Sequence, residues 1–310
     1  MCKLNETEVT EFLLLGFKNT FTINILLFSF VLLVYIAILF GNILIILLVS
    51  ISHLFHVPMY IFLKHLALAD LLFTTNIIPN MLYIIIQEHG VISVHACFFQ
   101  YYFHSLAIFT QSLILLAMSF DWYLAICQPL RYSSLMEHRI CFGLVFCSWA
   151  TGLILIPSEI ALLFQLRFCG TNTIDHFFCD IAPILRISTS DVTVVMWEDF
   201  AFAILIIFRP FVLISISYMC IFFTIFKISS STGRQKTFST CSSHLVTVCT
   251  YYGTLIAIYM VPAGENNLSN GKLLSLLYTV LTPFINPLLY SIRNKEIKRF
   301  LKKQIRIHVF

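Results

Sequence analysis

Charged residues are scarce in this chain. Only 11% of its 310 residues are Asp, Glu, Lys or Arg, whereas 59% are hydrophobic. A soluble globular domain carries about 25% charged residues. The composition therefore excludes an ordinary water-soluble fold and indicates a chain that is solvated largely by lipid.

Other patterns are missing as well. Strict alternation of apolar and polar residues is absent, which argues against a membrane β-barrel. Repeated halves are absent, and few ionisable residues lie near the middle of an apolar run (Asp70, Glu159 and Arg209), which argues against a transporter or channel. No nucleophile–base pair or set of metal ligands recurs at helical spacing. We therefore expect no enzyme, no metal, no cofactor and no nucleic-acid partner.

Long apolar runs, in contrast, are abundant. A helix needs about 20 mostly apolar residues to cross a bilayer. Backbone groups in lipid must be paired within their own segment, so such runs predict helices. Seven runs meet the length, at 23–50, 58–85, 96–127, 140–163, 198–227, 237–262 and 272–292. The sequence thus predicts an all-α membrane protein with a single domain: a seven-transmembrane helix bundle over 23–292, preceded by 1–22 and followed by a tail at 293–310.

The basic residues predict the orientation of these spans. Thirteen Lys and Arg residues lie on the side of the tail and five on the other side, so the positive-inside rule puts the tail in the cytosol and the N-terminus outside. Asn5 begins a glycosylation sequon, which agrees with an extracellular N-terminus of a plasma-membrane protein. Apolar and basic residues alternate with helical spacing after the seventh run, which predicts a short amphipathic helix on the inner leaflet, with a solvated basic tail as the alternative.

Six local motifs carry a family resemblance. They are Gly41-Asn42, HVPMYIFLKHLALAD at 56–70, MSFDWYLAICQPLRY at 118–132, SY at 217–218, KTFSTCSSHL at 236–245 and PFINPLLYSIRN at 283–294. Together and in this order, they resemble the vertebrate olfactory receptors, a branch of the rhodopsin-like G-protein-coupled receptors. The resemblance implies a receptor that binds small, mainly hydrophobic odorants and activates an olfactory-type stimulatory G protein.

One position departs from the family pattern. The family usually has Asp-Arg-Tyr where this chain has Asp121, Trp122 and Tyr123. The arginine pairs with the acid at rest and contacts the G protein when the receptor is active. An indole has one N–H donor and no charge, whereas a guanidinium has five donors and is always charged. We therefore expect impaired coupling, with a tolerated substitution as the alternative.

The resemblance also assigns sites. It implies a disulfide between Cys97 and Cys179, and it leaves Cys169 as a free thiol because Thr189 stands where a partner cysteine is common. His176 and Cys179 could bind a soft metal only if Cys179 were not bridged, so no metal is expected. The residues expected to act in coupling and activation are Asp121, Trp122, Tyr123, Tyr218, Lys236, Asn286, Pro287 and Tyr290.

Two further groups lie inside the bundle. Asp70, Asn42 and Asn286 are expected to form a polar core, in which a hydrated network is favoured over a bound cation because Gln111 stands where glutamate is common. The ligand pocket is expected in the outer half of the bundle, where core packing explains most of its residues equally well. Its expected lining is His104, Ser105, Ile108, Phe109, Phe202, Ile206, Tyr252, Leu255, Ile256, Tyr259 and Thr279.

Three functions remain from the sequence. A signalling odorant receptor is the interpretation that the six motifs favour. A receptor that binds odorants without signalling has the same fold, and in this interpretation Trp122 prevents coupling. A transporter or channel belongs to a different class and is disfavoured by the missing repeats.

Overall fold

The predicted all-α bundle is confirmed. A computed structural model describes residues 9–17, 20–51, 57–260 and 268–293, except for the side chains of 236, 240, 259–260, 268–270 and 290–293. Within these ranges, seven helical spans are long and apolar enough to cross a bilayer. The elements are, in order, β1 (Glu11–Leu15), α1 (Phe21–Ile51), α2 (Pro58–Gln87), β2 (His89–Ser93), α3 (Val94–Cys127), α4 (Pro129–Leu135), α5 (His138–Leu163), β3 (Thr173–Ile174), α6 (Ile181–Ile187), α7 (Thr193–Ala203), a π-helical turn (Ile204–Phe208), α8 (Arg209–Phe226), α9 (Ser231–Met260) and α10 (Leu268–Arg293).

The spans match the predicted runs closely. The largest differences are at the starts of two spans. In the fifth span, α7, the π turn and α8 form one continuous segment that starts at Thr193, five residues before the predicted start at 198, and in the sixth span α9 starts at Ser231, six residues before the predicted start at 237. Asn5 and the predicted helix after the seventh span lie outside the described residues.

Helix α3 is the centre of the bundle. In its most apolar stretch 72% of the residues are buried, against 28% in α1. It packs against α2, α5, α8 and α9. Large apolar side chains such as Phe30, Phe146 and Phe226 are instead exposed on the outer helices. A bilayer would cover them, as expected for helices that face hydrocarbon.

A small β-sheet covers one end of the bundle, which we call the lid end. Strand β1 is its central strand, antiparallel to β2 (Glu11 opposite Ser93) and parallel to β3 (Leu13 opposite Thr173). Phe12 and Leu14 of β1 are fully buried. The N-terminal segment therefore closes this end of the bundle as part of the fold.

Local chemistry explains how the chain turns between α2, β2 and α3. Helix α2 ends at Glu88, whose φ of 64° is the left-handed conformation that commonly terminates a helix. The Ser93 hydroxyl then accepts a hydrogen bond from the Ala96 N–H and caps the start of α3. These two signals leave room for only one short strand, β2, to pair with β1.

Candidate functional site

A cavity lies between α3, α5, α6 and the fifth span, near the lid end. Its open volume is about 60 Å³. One water site needs ~10–15 Å³, so this is space for about four to six waters or for a small ligand. The lining residues are Tyr101, His104, Ser105, Ile108, Phe109, Glu159, Asp180, Ile181, Asp199, Phe202, Ala203, Ile206 and Ile207.

The π turn in the fifth span forms one wall of this cavity. Pro210 has no N–H, so the carbonyl four residues earlier, Ile206, cannot receive the usual helical hydrogen bond. The Ser112 hydroxyl of α3 donates a hydrogen bond to that carbonyl instead. The Ser112 oxygen also lies 2.8 Å from the Tyr252 hydroxyl of α9. The proline thus creates both the π turn and a polar contact that joins the fifth span to α3 and α9.

Acidic groups collect on one side of the cavity. The Tyr101 hydroxyl donates a hydrogen bond of 2.9 Å to Glu159 Oε2, whereas buried Glu159 Oε1 has no partner. Asp180 caps α6 through the Ile181 N–H at 2.9 Å. Burial raises the pKa of Asp180 to about 6, which still leaves this carboxyl mostly ionised at neutral pH. Much of the remaining lining is apolar, with the Phe109 and Phe202 rings packed edge to face at 5.5 Å.

The lid is tied to the bundle by covalent and ionic contacts. The Cys97–Cys179 disulfide joins the start of α3 to the loop after β3. The Lys272 ammonium lies 2.5 Å from Asp175 Oδ1 and donates to the Gly16 carbonyl at 3.0 Å, so α10 holds both β1 and the β3 loop. His176 is buried between these contacts. Burial, with a smaller effect of the Lys272 charge, lowers the pKa of His176 to about 3, so the imidazole is neutral. Cys179 is not available as a thiolate ligand because it is in the disulfide.

The expectation for Cys169 is wrong. Cys169 is disulfide-bonded, not a free thiol. Thr189 does lie beside this loop, since its N–H donates to the Arg167 carbonyl at 2.9 Å. Among the described residues, the six cysteines other than Cys97, Cys169 and Cys179 are free. The absence of a cysteine at Thr189 therefore does not leave Cys169 as a free thiol.

A polar core lies at the centre of the bundle. Fully buried Asp70 accepts hydrogen bonds from Gln111 Nε2 at 2.8 Å and from Asn286 Nδ2 at 2.9 Å. Asn42 reaches the same region from α1 and donates to the Pro283 carbonyl at 3.3 Å. Gln111 acts here as a donor to the carboxylate. The described residues contain no group of three or more His, Cys, Asp and Glu side chains arranged to hold a metal ion.

Gly41 lets α1 and α10 approach closely enough for these contacts. A Cβ at this position would lie 2.7 Å from Pro287 Cβ, which is closer than two carbon atoms can be packed. Asn42 follows directly and faces α10. The Gly41-Asn42 motif is therefore explained by packing against α10.

At the end of α3 away from the lid, Asp121 has a partner that the sequence did not reveal. The Tyr132 hydroxyl of α4 donates a hydrogen bond of 2.9 Å to Asp121 Oδ1. Arg131, the adjacent base, is exposed. Trp122 is half-buried against the core, and its Nε1–H has no hydrogen-bond partner. Burial and the Asp121 carboxylate both raise the pKa of the Tyr132 phenol above its usual value, so this hydroxyl remains a donor.

A second contact at this end joins α8 to α9. The Tyr218 hydroxyl lies 2.7 Å from His244 Nδ1, and both side chains are buried. Tyr123 accepts a hydrogen bond of 3.1 Å from Gln128 Nε2. The first bond joins α8 to α9, and the second lies within the C-terminal end of α3.

Comparison with known proteins shows which family this chain is similar to. The sequence profile described as "Olfactory receptor" matches residues 30–307. Olfactory receptor 10A7 of Homo sapiens is 41% identical over 301 residues, which is 97% of this chain and 95% of that protein. Olfactory receptor 5P55 of Mus musculus is 42% identical over 307 residues, covering 99% of this chain and 98% of that protein.

This chain belongs to the olfactory receptor family. Olfactory receptors are G-protein-coupled receptors rather than enzymes, and the seven spans make this one a multi-pass membrane protein. The cavity under the lid and the hydrogen-bonded far end can therefore be considered as parts of an odorant-sensing receptor.

In this olfactory receptor the predicted pocket residues fall into two groups. Six of them line the cavity: His104, Ser105, Ile108, Phe109, Phe202 and Ile206. Tyr252, Leu255, Ile256 and Thr279 are not among its lining residues. The reason is that the Tyr251 hydroxyl donates to the Ile108 carbonyl at 2.8 Å and Tyr252 meets Ser112, which together close the gap between α3 and α9. The side chains of Tyr259, Lys236 and Tyr290 are outside the described part.

The acidic wall was missed, although one signal for it was present. Glu159 is an acid inside an apolar run, and such residues usually face the bundle interior. Asp180 and Asp199 come from segments that approach the cavity only when the loop between α5 and α7 has folded. Nothing in the linear order of the residues indicates that proximity.

Proposed function

We propose that this receptor binds a small, mainly hydrophobic odorant in the cavity under the lid and activates an olfactory-type stimulatory G protein at the opposite end of the bundle. The observation that carries the proposal is the cavity itself. Its lining is mainly apolar with a few polar groups. Concave, mainly apolar sites with a few placed polar groups are typical for small ligands.

The proposal includes an orientation in which the lid end faces outside. The excess of Lys and Arg on the side of the tail supports it. The Cys97–Cys179 disulfide at the lid end supports it too, because disulfides persist in oxidising extracellular surroundings. The receptor then acts at the plasma membrane, with its cavity open to odorants that reach the cell surface.

A route for the signal follows from the contacts of the π turn. A ligand that contacts Ile206 would act on the Ile206 carbonyl, which accepts a hydrogen bond from Ser112. Ser112 also contacts Tyr252 of α9. Helix α9 carries His244, whose bond to Tyr218 holds α9 to α8 at the far end. We infer that ligand binding shifts α9 relative to α8, which is a movement of packed helices of a type common in switching proteins.

Coupling is expected to be weaker than in relatives with an arginine after the aspartate. Asp121 already receives a neutral hydrogen bond from Tyr132, and Trp122 offers the G protein no charge. A second candidate function therefore remains, a receptor that binds odorants but does not signal, and the unpaired Trp122 N–H is the observation that favours it.

The test is a ligand-dependent cAMP assay across an odorant panel, run beside an ion-flux assay in the same cells and normalised to receptor labelled at the cell surface. We expect cAMP to rise with at least one odorant and ion flux to stay at background. Flux without cAMP would favour a channel. Binding without cAMP, at a normal surface level, would favour the silent receptor.

A further inference from the structure

The cavity combines three carboxylates with an apolar wall. Glu159, Asp180 and Asp199 all line it, and its described lining contains no lysine or arginine. Like charges that share a poorly hydrated site disfavour one another's ionised form. A site of this kind therefore has a deficit of positive charge, and a bound cation would relieve it.

An independent observation, on Glu159 and His104, indicates that the cavity takes a ligand. Glu159 is 1% exposed, and its Oε1 has no hydrogen-bond partner. His104 is 4% exposed, lines the same cavity and leaves its Nδ1 without a partner. A buried polar atom without a partner destabilises the fold, and natural proteins keep few of them. Two such atoms on one small cavity are best explained by a ligand that supplies hydrogen-bond donors.

A metal ion does not explain the site. The described residues include no group of three or more His, Cys, Asp or Glu side chains arranged to hold a metal. The lining also includes Ile108, Phe109 and Phe202, whose side chains offer no ligand atoms. The ligand must satisfy the carboxylates on one side and the apolar wall on the other.

We propose that the odorant bound here is a small aliphatic amine in its protonated form, with the ammonium at Glu159, Asp180 and Asp199 and the hydrocarbon against Phe109 and Phe202. An alkylammonium has three N–H donors and a pKa near that of lysine, about 10.4, so it is charged at neutral pH. The cavity volume of about 60 Å³ restricts the ligand to a short chain. This inference names the ligand class of the proposed function and rests on it.

Three probes of the same branched skeleton separate charge from shape: isoamylamine, isoamyl alcohol and isovaleric acid. Thermal unfolding of the purified full-length receptor in detergent reports binding without any G protein. We expect isoamylamine to raise the unfolding temperature in a dose-dependent way, isoamyl alcohol to need at least tenfold higher concentrations, and isovaleric acid to have no effect. The apparent affinity for the amine should fall about tenfold in Glu159→Gln, because a hydrogen bond to a charged group is replaced by a neutral one.

Glu198→Gln is the matched control. Glu198 is adjacent to Asp199 on α7 but accepts a hydrogen bond from Ser158 and does not line the cavity, so the variant removes a carboxylate from that helix without changing a lining residue. We expect it to keep the wild-type response to the amine. Asp199→Asn, which does change the cavity, should weaken amine binding even if Glu159→Gln fails to fold.

Each outcome decides the proposal. Equal stabilisation by the amine and the alcohol, stabilisation by the acid alone, or no stabilisation by the amine would overturn it. The proposal would also be overturned if Glu198→Gln lost the stabilisation by the amine as fully as Asp199→Asn does. Stabilisation by the amine without cAMP would leave the amine site standing and reject signalling. A cAMP response to neutral odorants only would support the receptor function and reject the amine.

Discussion

Trp122→Arg should increase odorant-driven cAMP. The half-buried indole N–H has no hydrogen-bond partner in the structure, and Asp121 receives its hydrogen bond from the neutral Tyr132 hydroxyl. An arginine would give this end of α3 a permanent charge and up to five donors. In the active state it could reach the Tyr218 hydroxyl, which His244 holds at rest, and it could contact the G protein directly.

The size of the effect follows from the type of bond gained. Hydrogen bonds to charged groups are worth about 1.5–3 kcal/mol, whereas neutral ones are worth about 0.5–1.5 kcal/mol. If the gain is realised only in the active state, a difference of about 1.4 kcal/mol raises the active-to-inactive ratio tenfold. We therefore expect the cAMP dose–response curve to move to about tenfold lower odorant concentration, or basal cAMP to rise.

The assay compares cAMP per receptor labelled at the surface, since arginine could also improve folding. Trp122→Phe is the control, because it removes the unpaired N–H but adds no charge. We expect it to signal as poorly as wild type even if more of it reaches the surface. If Trp122→Arg and wild type respond equally per surface receptor, and wild type responds robustly, then Trp122 is a tolerated substitution and the account of weak coupling is wrong.

Two more predictions concern the lid. Cys169→Ser should lower surface expression as Cys97→Ser does, because both thiols are bridged. Cys147→Ser is the control and should not lower it, because Cys147 is free and exposed. Wild-type surface levels of Cys169→Ser would show that its bridge is dispensable. Burial lowers the pKa of His176 from about 6.5 to about 3, so below pH 6.5 the unfolded chain binds a proton that the folded lid does not, and stability falls as the pH decreases. Between pH 7.5 and 5.5 this effect is about 1.4 kcal/mol; His176→Phe should reduce the drop in unfolding temperature over that interval, and an unchanged drop would contradict the buried neutral imidazole.

The positions of the seven spans were predictable because lipid imposes a simple rule. Each apolar run must be helical and about 20 residues long, so counting was enough to find all seven. The start of the fifth span was less certain because α7 carries Glu198 and Asp199 within its first turns, which breaks the apolar run. The π turn follows from Pro210, but its depth in the bundle and its contact with Ser112 depend on packing.

The sheet over the lid end could not be predicted from local patterns. Strand β1 is only five residues long, and it pairs with segments about eighty and one hundred and sixty residues away in sequence. Its burial comes from the docking of Phe12 and Leu14 on the bundle. The same dependence on distant contacts explains why the disulfide state of Cys169 and the hydrogen bond from Tyr132 to Asp121 were not foreseen.

The pocket was half predictable for a similar reason. The helical spacing of His104, Ser105, Ile108 and Phe109 predicts one face of α3, and all four residues line the cavity. Which helices complete the wall depends on two tyrosines of α9 that reach across to α3 and exclude their own helix from the cavity. That exclusion is a property of packed side chains and has no signature in a single sequence.

The central claim is that the cavity under the lid is the odorant site, and one pair of variants tests it most directly. Ala203 is buried and lines the cavity, whereas Ala201, two residues earlier on α7, is exposed on the outer surface. A phenyl ring at 203 would fill a cavity of about 60 Å³, and the same ring at 201 would lie in lipid. At equal surface levels, Ala203→Phe should abolish both the thermal stabilisation and the cAMP response to every odorant that acts on wild type, and Ala201→Phe should retain both. Retention of these responses by Ala203→Phe would place the odorant elsewhere and contradict the account.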